Sequence, residues 1–147
     1  MRRALLLLGV VALLAGCGGG AEHHVSKAEF VAKADSICAA GQTEIARLAQ
    51  PSTPQDLDEY LGKAIPIQKR EVAEIRRLDW PDADKTRIER VLRAANDLIA
   101  AFEELRAAAH SGDQEAITKA DKAAAQAGAK MRSAARAYGF KVCGGPS

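Results

Sequence analysis

Apolar residues recur every three or four positions in four segments of the chain, and this spacing predicts four amphipathic α-helices. The first segment begins at Ser26, which has the spacing of a capping box with Glu29, and it ends before residue 51. The second begins at Thr53 and Pro54, an N-cap residue followed by a first-turn proline, and it runs to residue 78. We therefore expect two long helices joined by a short turn in the first half of the domain.

Two further periodic segments follow a turn at Trp80 and Pro81. The third helix is predicted to end near His110, and the fourth, whose inward positions are mostly alanine, to run from Asp113 to Gly139. We interpret Trp80 as a lid over the end of the core, the alternatives being an anchor for a partner or for the membrane interface. Four helices joined by short turns predict an all-α fold, an up-down-up-down four-helix bundle.

Pro66 lies inside the second helix, where proline removes a backbone hydrogen bond. We expect a kink and not an end, because the apolar period continues in phase afterwards. Gln68 falls on the inward side just past this position, and a kink opens space beside it. Gln68, with Asn96 of the third helix, is therefore the candidate contact for a small ligand in the core. The competing interpretation is a core glutamine bonded to a neighbouring carbonyl.

The first sixteen residues have the three parts of a secretory signal: Arg2 and Arg3, an apolar run over residues 4–14, and two small residues. The sequence Leu14-Ala15-Gly16-Cys17 resembles the bacterial lipobox, in which the cysteine receives a diacylglycerol thioether before a peptidase cleaves ahead of it. The resemblance implies a lipoprotein held to the membrane by acyl chains such as palmitate on Cys17, on the extracytoplasmic face of the cell membrane. The alternative is an ordinary secretory signal with an incidental cysteine.

Three glycines at residues 18–20 follow Cys17 and are typical of a flexible tether. The chain thus divides into a signal peptide at 1–16, a tether at 17–25 and a four-helix domain at 26–147. His23 and His24 fall in the tether with no carboxylate or cysteine at ligand spacing. We interpret them as solvated, and we predict no metal site.

Removal of the leader leaves a mature chain with balanced charge. The whole chain has 21 Lys and Arg against 19 Asp and Glu, and two of the basic residues, Arg2 and Arg3, belong to the leader. Balanced charge and an aromatic content of 4% disfavour nucleic-acid binding. The sequence contains no nucleophile with an adjacent base and no phosphate-binding loop, so we expect neither enzymatic activity nor a cofactor.

Cys38 and Cys143 remain once Cys17 carries lipid, and an even pair in an oxidising compartment is expected to form a disulfide. Two free thiols are the alternative. Because Cys38 lies several turns along the first helix, the segment after the fourth helix must fold back along the first helix to reach it. This predicts a C-terminal tail that buries Phe140 and Val142.

Three short motifs resemble the opening and closing signatures of small alanine-rich helical lipoproteins of actinobacteria. They are Ser26-Lys27-Ala28-Glu29-Phe30, Ala34-Asp35-Ser36-Ile37-Cys38 and Tyr138-Gly139-Phe140-Lys141-Val142-Cys143-Gly144. The resemblance covers the two ends of the domain and implies an envelope lipoprotein without an assigned activity. It supports the disulfide and adds no site.

Two classes of function follow from these patterns. The first is a non-enzymatic binding or interaction module of the cell envelope, anchored to the membrane through its lipid and contacting another envelope protein. The second is a bundle that binds a small ligand in its core near Pro66. A cavity at that place would favour the second class, and a filled core would favour the first.

Overall fold

A computed structural model describes residues 24–145, which form a bundle of four α-helices. In chain order the helices are α1 (Lys27–Ile45), α2 (Pro54–Arg77), α3 (Lys85–Ser111) and α4 (Gln114–Tyr138), and a 3₁₀ turn at Asp82–Asp84 precedes α3. Helix α1 packs on α2, α2 packs on α3, and α3 packs on α4. The predicted all-α, up-down-up-down bundle is confirmed.

The predicted signal peptide, Cys17 and the tether up to His23 lie outside the described residues. His24 is exposed, with its Nδ1 atom 3.7 Å from the carboxylate of Asp82. Between residues 24 and 145, no three His, Cys, Asp or Glu side chains converge as a metal ion would require. None of the helices in that same range combines the length and the apolar character needed to cross a membrane.

Capping groups fix where the helices begin and end. Ser26 and Glu29 exchange reciprocal hydrogen bonds at the start of α1, and Thr53 caps α2 in the same way. Helices α3 and α4 end at Gly112 and Gly139, whose φ angles of 71° and 116° are left-handed and therefore suit glycine. The predicted caps thus set the boundaries of the helices to within a few residues.

Helix α2 continues without interruption across Pro66. Pro66 itself is exposed, while Leu61 before it and Ile75 after it are both buried. Buried residues on both sides of Pro66 thus share one face of α2, and the prediction that the helix does not end at Pro66 is confirmed. This continuity carries the inward positions beyond Pro66, including residue 68, to the same side of the helix as Leu61.

The core consists of two clusters of buried side chains. One cluster, at the end where α1 begins and α4 ends, includes Phe30 and Tyr138. The other, towards the opposite end, includes Leu61 and Leu105. Val72 of α2 packs against both clusters and so marks the level at which they meet.

Trp80 closes the end of the first cluster. Its ring packs against that cluster, and its Nε1 atom donates a hydrogen bond of 3.2 Å to the carbonyl oxygen of Ile75. The side chain thus covers apolar core and satisfies a carbonyl in the last turn of α2. This position agrees with the interpretation of Trp80 as a lid.

The C-terminal tail, residues 139–145, folds back along α1. Cys143 is disulfide-bonded to Cys38, with the two Cα atoms 5.2 Å apart. Phe140 is buried against the rings of Phe30 and Tyr138, and Val142 is half-buried. The predicted disulfide and the predicted return of the tail are both confirmed.

Asp35 also holds the tail, through hydrogen bonds that were not predicted from the sequence. Its buried carboxylate accepts hydrogen bonds from the backbone N–H groups of residues 141, 142 and 143, at 2.9, 2.9 and 3.0 Å. The sequence does place an acidic residue on the inward side of α1, one turn before Cys38. Such a residue indicates that hydrogen-bond donors lie opposite it, because a buried carboxylate requires them. The disulfide and this hydrogen-bonded clasp together fix the tail against α1.

Candidate functional site

A cavity of about 150 Å³ lies where α1, α2 and α3 meet the C-terminal tail, and it is partly open to solvent. Residues of both core clusters contribute to its wall, so the cavity lies at their junction. The apolar lining includes Ile75, Val91, Leu92, Leu98, Met131 and Phe140. An apolar cavity of about this volume is large enough to hold a benzene-sized molecule.

Gln68 contributes the first polar group of the lining. Its Oε1 atom is buried and accepts no hydrogen bond from any residue in the range 24–145. A buried acceptor without a donor costs about 1–3 kcal/mol. The Oε1 atom of Gln68 is therefore an acceptor that no group among residues 24–145 satisfies.

Glu71 contributes the second polar group, and it was not predicted from the sequence. The side chain is half-buried and forms no ion pair or hydrogen bond with the residues that the structure describes. Desolvation raises the pKa of the Glu71 carboxyl to about 7, helped by the negative charges of Glu44 and Glu74 and opposed by the positive charge of Arg70. The sequence places Glu71 three residues after Gln68 and hence on the same helix face, which could have indicated that it lies beside Gln68.

Gly41 of α1 makes room for the Glu71 side chain. Gly41 is buried, and a β-carbon built on it would collide with the carboxylate of Glu71. The carboxylate therefore lies directly against the backbone of α1 at this point. A glycine on the apolar stripe of α1 thus has a specific packing partner on α2.

Gln42 is a second amide in the cavity wall, and its donor group is satisfied. It also lines the cavity, but its Nε2 atom donates a hydrogen bond of 2.9 Å to the carbonyl oxygen of Val142. This amide helps to hold the tail and is already occupied. Gln68 and Glu71, by contrast, offer acceptor oxygens that no donor among residues 24–145 satisfies.

The structure does not bring Asn96 to this cavity. Ala95 lines the cavity, whereas Asn96 is exposed on the outer side of α3. Adjacent residues of an α-helix point about 100° apart, because there are about 3.6 residues per turn, and this step turns Asn96 away. Of the two candidate ligand contacts from the sequence, only Gln68 belongs to the candidate site.

The disulfide is part of the cavity wall. Cys38, Cys143 and Phe140 all line the cavity, so the tail closes one side of it. The covalent bond between α1 and the tail therefore also sets the shape of the site.

Glu71 supplies a titratable carboxyl to the lining. Among the lining residues in the range 24–145, no other side chain titrates, because Cys38 and Cys143 are joined in the disulfide. A single carboxylate beside an amide can orient a ligand and pair with its charge.

Comparison of the chain with protein-family models, with curated proteins and with solved structures found no match.

Proposed function

We propose that this protein binds a small, largely apolar molecule in the cavity between α1, α2, α3 and the C-terminal tail. The observation that carries the proposal is a cavity of about 150 Å³ whose wall contains a buried acceptor, Gln68 Oε1, without a partner in the described part of the chain. Of the two functions considered from the sequence, a cavity beside residue 68 favours binding in the core.

Two departures from ordinary packing coincide at this place. Protein interiors are packed as densely as organic crystals, and most buried polar atoms have a hydrogen-bond partner. A void and an unsatisfied acceptor each make the unliganded bundle less stable. A ligand that fills the void and donates to Gln68 removes both costs at once, which is the physical basis of the proposed affinity.

We further propose that the site faces the outside of the cell membrane, with the domain anchored through lipid on Cys17. The lipobox-like end of the leader supports this placement. The Cys38–Cys143 disulfide adds support, because structural disulfides persist in oxidising compartments. In this setting the domain acts as a non-enzymatic binding protein of the envelope.

Methyl NMR of methionine tests the proposal. The chain contains two methionines, Met1 and Met131, and Met131 lines the cavity. We would label the methionine methyl carbons of the full chain in lipid nanodiscs, identify the Met131 signal with Met131→Leu, and titrate with benzyl alcohol. The proposal predicts a saturable shift of the Met131 signal.

A filled cavity provides the matched control. Ala95→Leu places a larger side chain in the cavity wall, while Ala100→Leu makes the same change at an exposed position of α3. The shift should persist in Ala100→Leu and disappear in Ala95→Leu. Absence of a saturable shift in the wild type, or an equal shift in both variants, would overturn the proposal, since partition into the lipid alone affects all chains alike.

A further inference from the structure

The geometry points to a ligand that carries a protonated amine on its small apolar body, with the amine held between Gln68 Oε1 and the Glu71 carboxylate. This inference rests on the proposed function, because it assigns the ligand class of the same cavity. Gln68 and Glu71 are three residues apart on α2 and therefore lie next to each other on the helix surface.

Two acceptor groups of the cavity wall have no hydrogen-bond donor among residues 24–145. Gln68 Oε1 is buried without a donor, and Glu71 has no hydrogen-bond partner among residues 24–145. The donor of the neighbouring amide, Gln42 Nε2, is already bound to the carbonyl oxygen of Val142. A protonated primary amine has three N–H donors and no acceptor, so it can serve both oxygens together, whereas an alcohol has a single donor.

The charged side chains around Glu71 also favour a cationic ligand. Three carboxylates, Glu44, Glu71 and Glu74, surround one guanidinium group, Arg70. Arg70 pairs with Glu44 at 2.6 Å and lies 3.9 Å from Glu74, whereas Glu71 forms no ion pair within the described part of the chain. A carboxylate ligand would add a fourth negative charge next to this group, while an ammonium group would neutralise one.

Burial makes the effect of a cation larger. Glu71 lies against the α1 backbone at Gly41 and is half-buried, so its charge is less screened than that of a surface carboxylate. The helix α3 and the tail contribute Ile88, Val91 and Phe140 to the facing wall. An ammonium group at Glu71 therefore has an apolar space beside it for the rest of the ligand.

Three probes of equal carbon skeleton separate charge from shape. Benzylamine, benzyl alcohol and benzoate carry a cation, a neutral donor and an anion on the same ring. Their dissociation constants would be measured at pH 8 from the Met131 methyl shift of the full chain in nanodiscs, for the wild type, Glu71→Gln and Glu74→Gln. Glu74 is the matched control, because it belongs to the same acidic cluster but is not part of the cavity lining.

We expect the wild-type chain to bind benzylamine about tenfold more tightly than benzyl alcohol, a difference of about 1.4 kcal/mol in binding free energy. Benzoate should bind most weakly of the three. Glu71→Gln should remove this preference for benzylamine over benzyl alcohol. Glu74→Gln should retain most of the preference. Benzylamine affinity should also increase between pH 6 and pH 8, as the Glu71 carboxyl loses its proton, with no such change for benzyl alcohol.

The outcomes separate this inference from the proposed function. If benzyl alcohol binds the wild type but benzylamine binds no better, the cavity is a binding site and the amine class is wrong. The same conclusion follows if the amine preference survives in Glu71→Gln. If none of the three probes binds, both the amine class and the proposed function are contradicted.

Discussion

Gln68 is the residue at which stability and binding are expected to oppose each other. Replacement by leucine removes an acceptor that has no donor among residues 24–145, and it keeps a side chain of similar length in the apolar wall. We predict that Gln68→Leu increases the free energy of unfolding of the unliganded chain by about 1–2 kcal/mol. The same substitution should weaken the binding of benzylamine.

Gln42→Leu is the matched control for this prediction. It makes the same change in the same wall but removes a hydrogen bond to the tail, so it should lower the free energy of unfolding by about 1 kcal/mol. Urea unfolding, followed by the fluorescence of the single tryptophan, Trp80, measures both. Destabilisation by Gln68→Leu would show that its side chain is satisfied in the folded protein.

Glu71 makes the stability of the domain depend on pH. The pKa of its carboxyl is about 7 in the folded protein and 4.5 in its ordinary state, so between these values the folded chain holds more protons than the unfolded chain. Stability therefore falls as the pH rises through this window and is greatest below pH 4.5 as far as this group is concerned. Because one pKa unit corresponds to about 1.4 kcal/mol and Glu71 is partly exposed, we expect a loss of roughly 1–3 kcal/mol from this group.

Urea unfolding at pH 5 and at pH 8 tests this pH dependence. The wild type should lose more stability than Glu71→Gln between the two conditions, since glutamine does not titrate. Glu74→Gln should keep most of the wild-type pH dependence, because the charge of Glu74 contributes less to the raised pKa of Glu71 than desolvation does. An equal pH dependence of the wild type and Glu71→Gln would contradict the assignment of the effect to Glu71.

At the scale of elements, the tail is the part of the fold that depends most on individual contacts. The Asp35 carboxylate accepts three backbone N–H groups, and such charge-assisted hydrogen bonds are stronger than neutral ones. We predict that Asp35→Ala lowers the free energy of unfolding by about 2–3 kcal/mol. Asp121→Ala, an exposed position of α4, should change it by less than about 0.5 kcal/mol.

Hydrogen exchange gives this prediction a local readout. In Asp35→Ala the amide protons of residues 141, 142 and 143 should exchange faster than in the wild type, while those in the middle of α3 keep their protection. Unchanged exchange at these three amides would show that the disulfide alone holds the tail.

The helices and their order could be predicted from the sequence because their signals are local and repeated. The 3.6-residue period, the Ser26 and Thr53 caps and the glycine at residue 139 each act within a few positions of the chain. The disulfide followed from a count of cysteines, which is also a property of the sequence alone. An acidic residue on the inward side of α1 indicates a buried carboxylate that needs donors, but which backbone groups supply them depends on how the tail packs against α1.

The candidate site was only partly predictable for the same reason. Gln68 was placed on the inward face by its period, whereas Asn96 lies one position past the inward Ala95 and is turned to the outer side of α3 by the helical step. The pairing of Gly41 with Glu71 joins residues on two helices and becomes visible only in the assembled bundle. Cavity volume likewise depends on how side chains from all four helices fill space.

At the scale of the whole molecule, the disulfide links the stability of the bundle to the shape of the site. It closes a loop between residues 105 positions apart, so on the chain-entropy account its loss costs on the order of 4–5 kcal/mol. Because Cys143 and Phe140 belong to the cavity wall, we predict that reduction also weakens the binding of benzyl alcohol. Titration of the Met131 methyl signal with and without dithiothreitol measures this effect.

The double variant with Cys38→Ser and Cys143→Ser is the control for reduction. It should resemble the reduced wild type and show no response to dithiothreitol. Reduced wild type that binds benzyl alcohol as tightly as the oxidised chain would show that the tail does not shape the site.

The proposed function requires that the folded bundle has an unfilled cavity and that a small molecule binds in it. The effect of the ligand on the free energy of unfolding tests this requirement most directly. We would measure the free energy of unfolding of the full chain by urea with and without benzylamine, for the wild type and for Ala95→Leu. At ten times the dissociation constant, binding to the folded state alone predicts an increase of about 1.4 kcal/mol in the wild type and none in Ala95→Leu. No increase in the wild type, or an equal increase in both, would contradict the account.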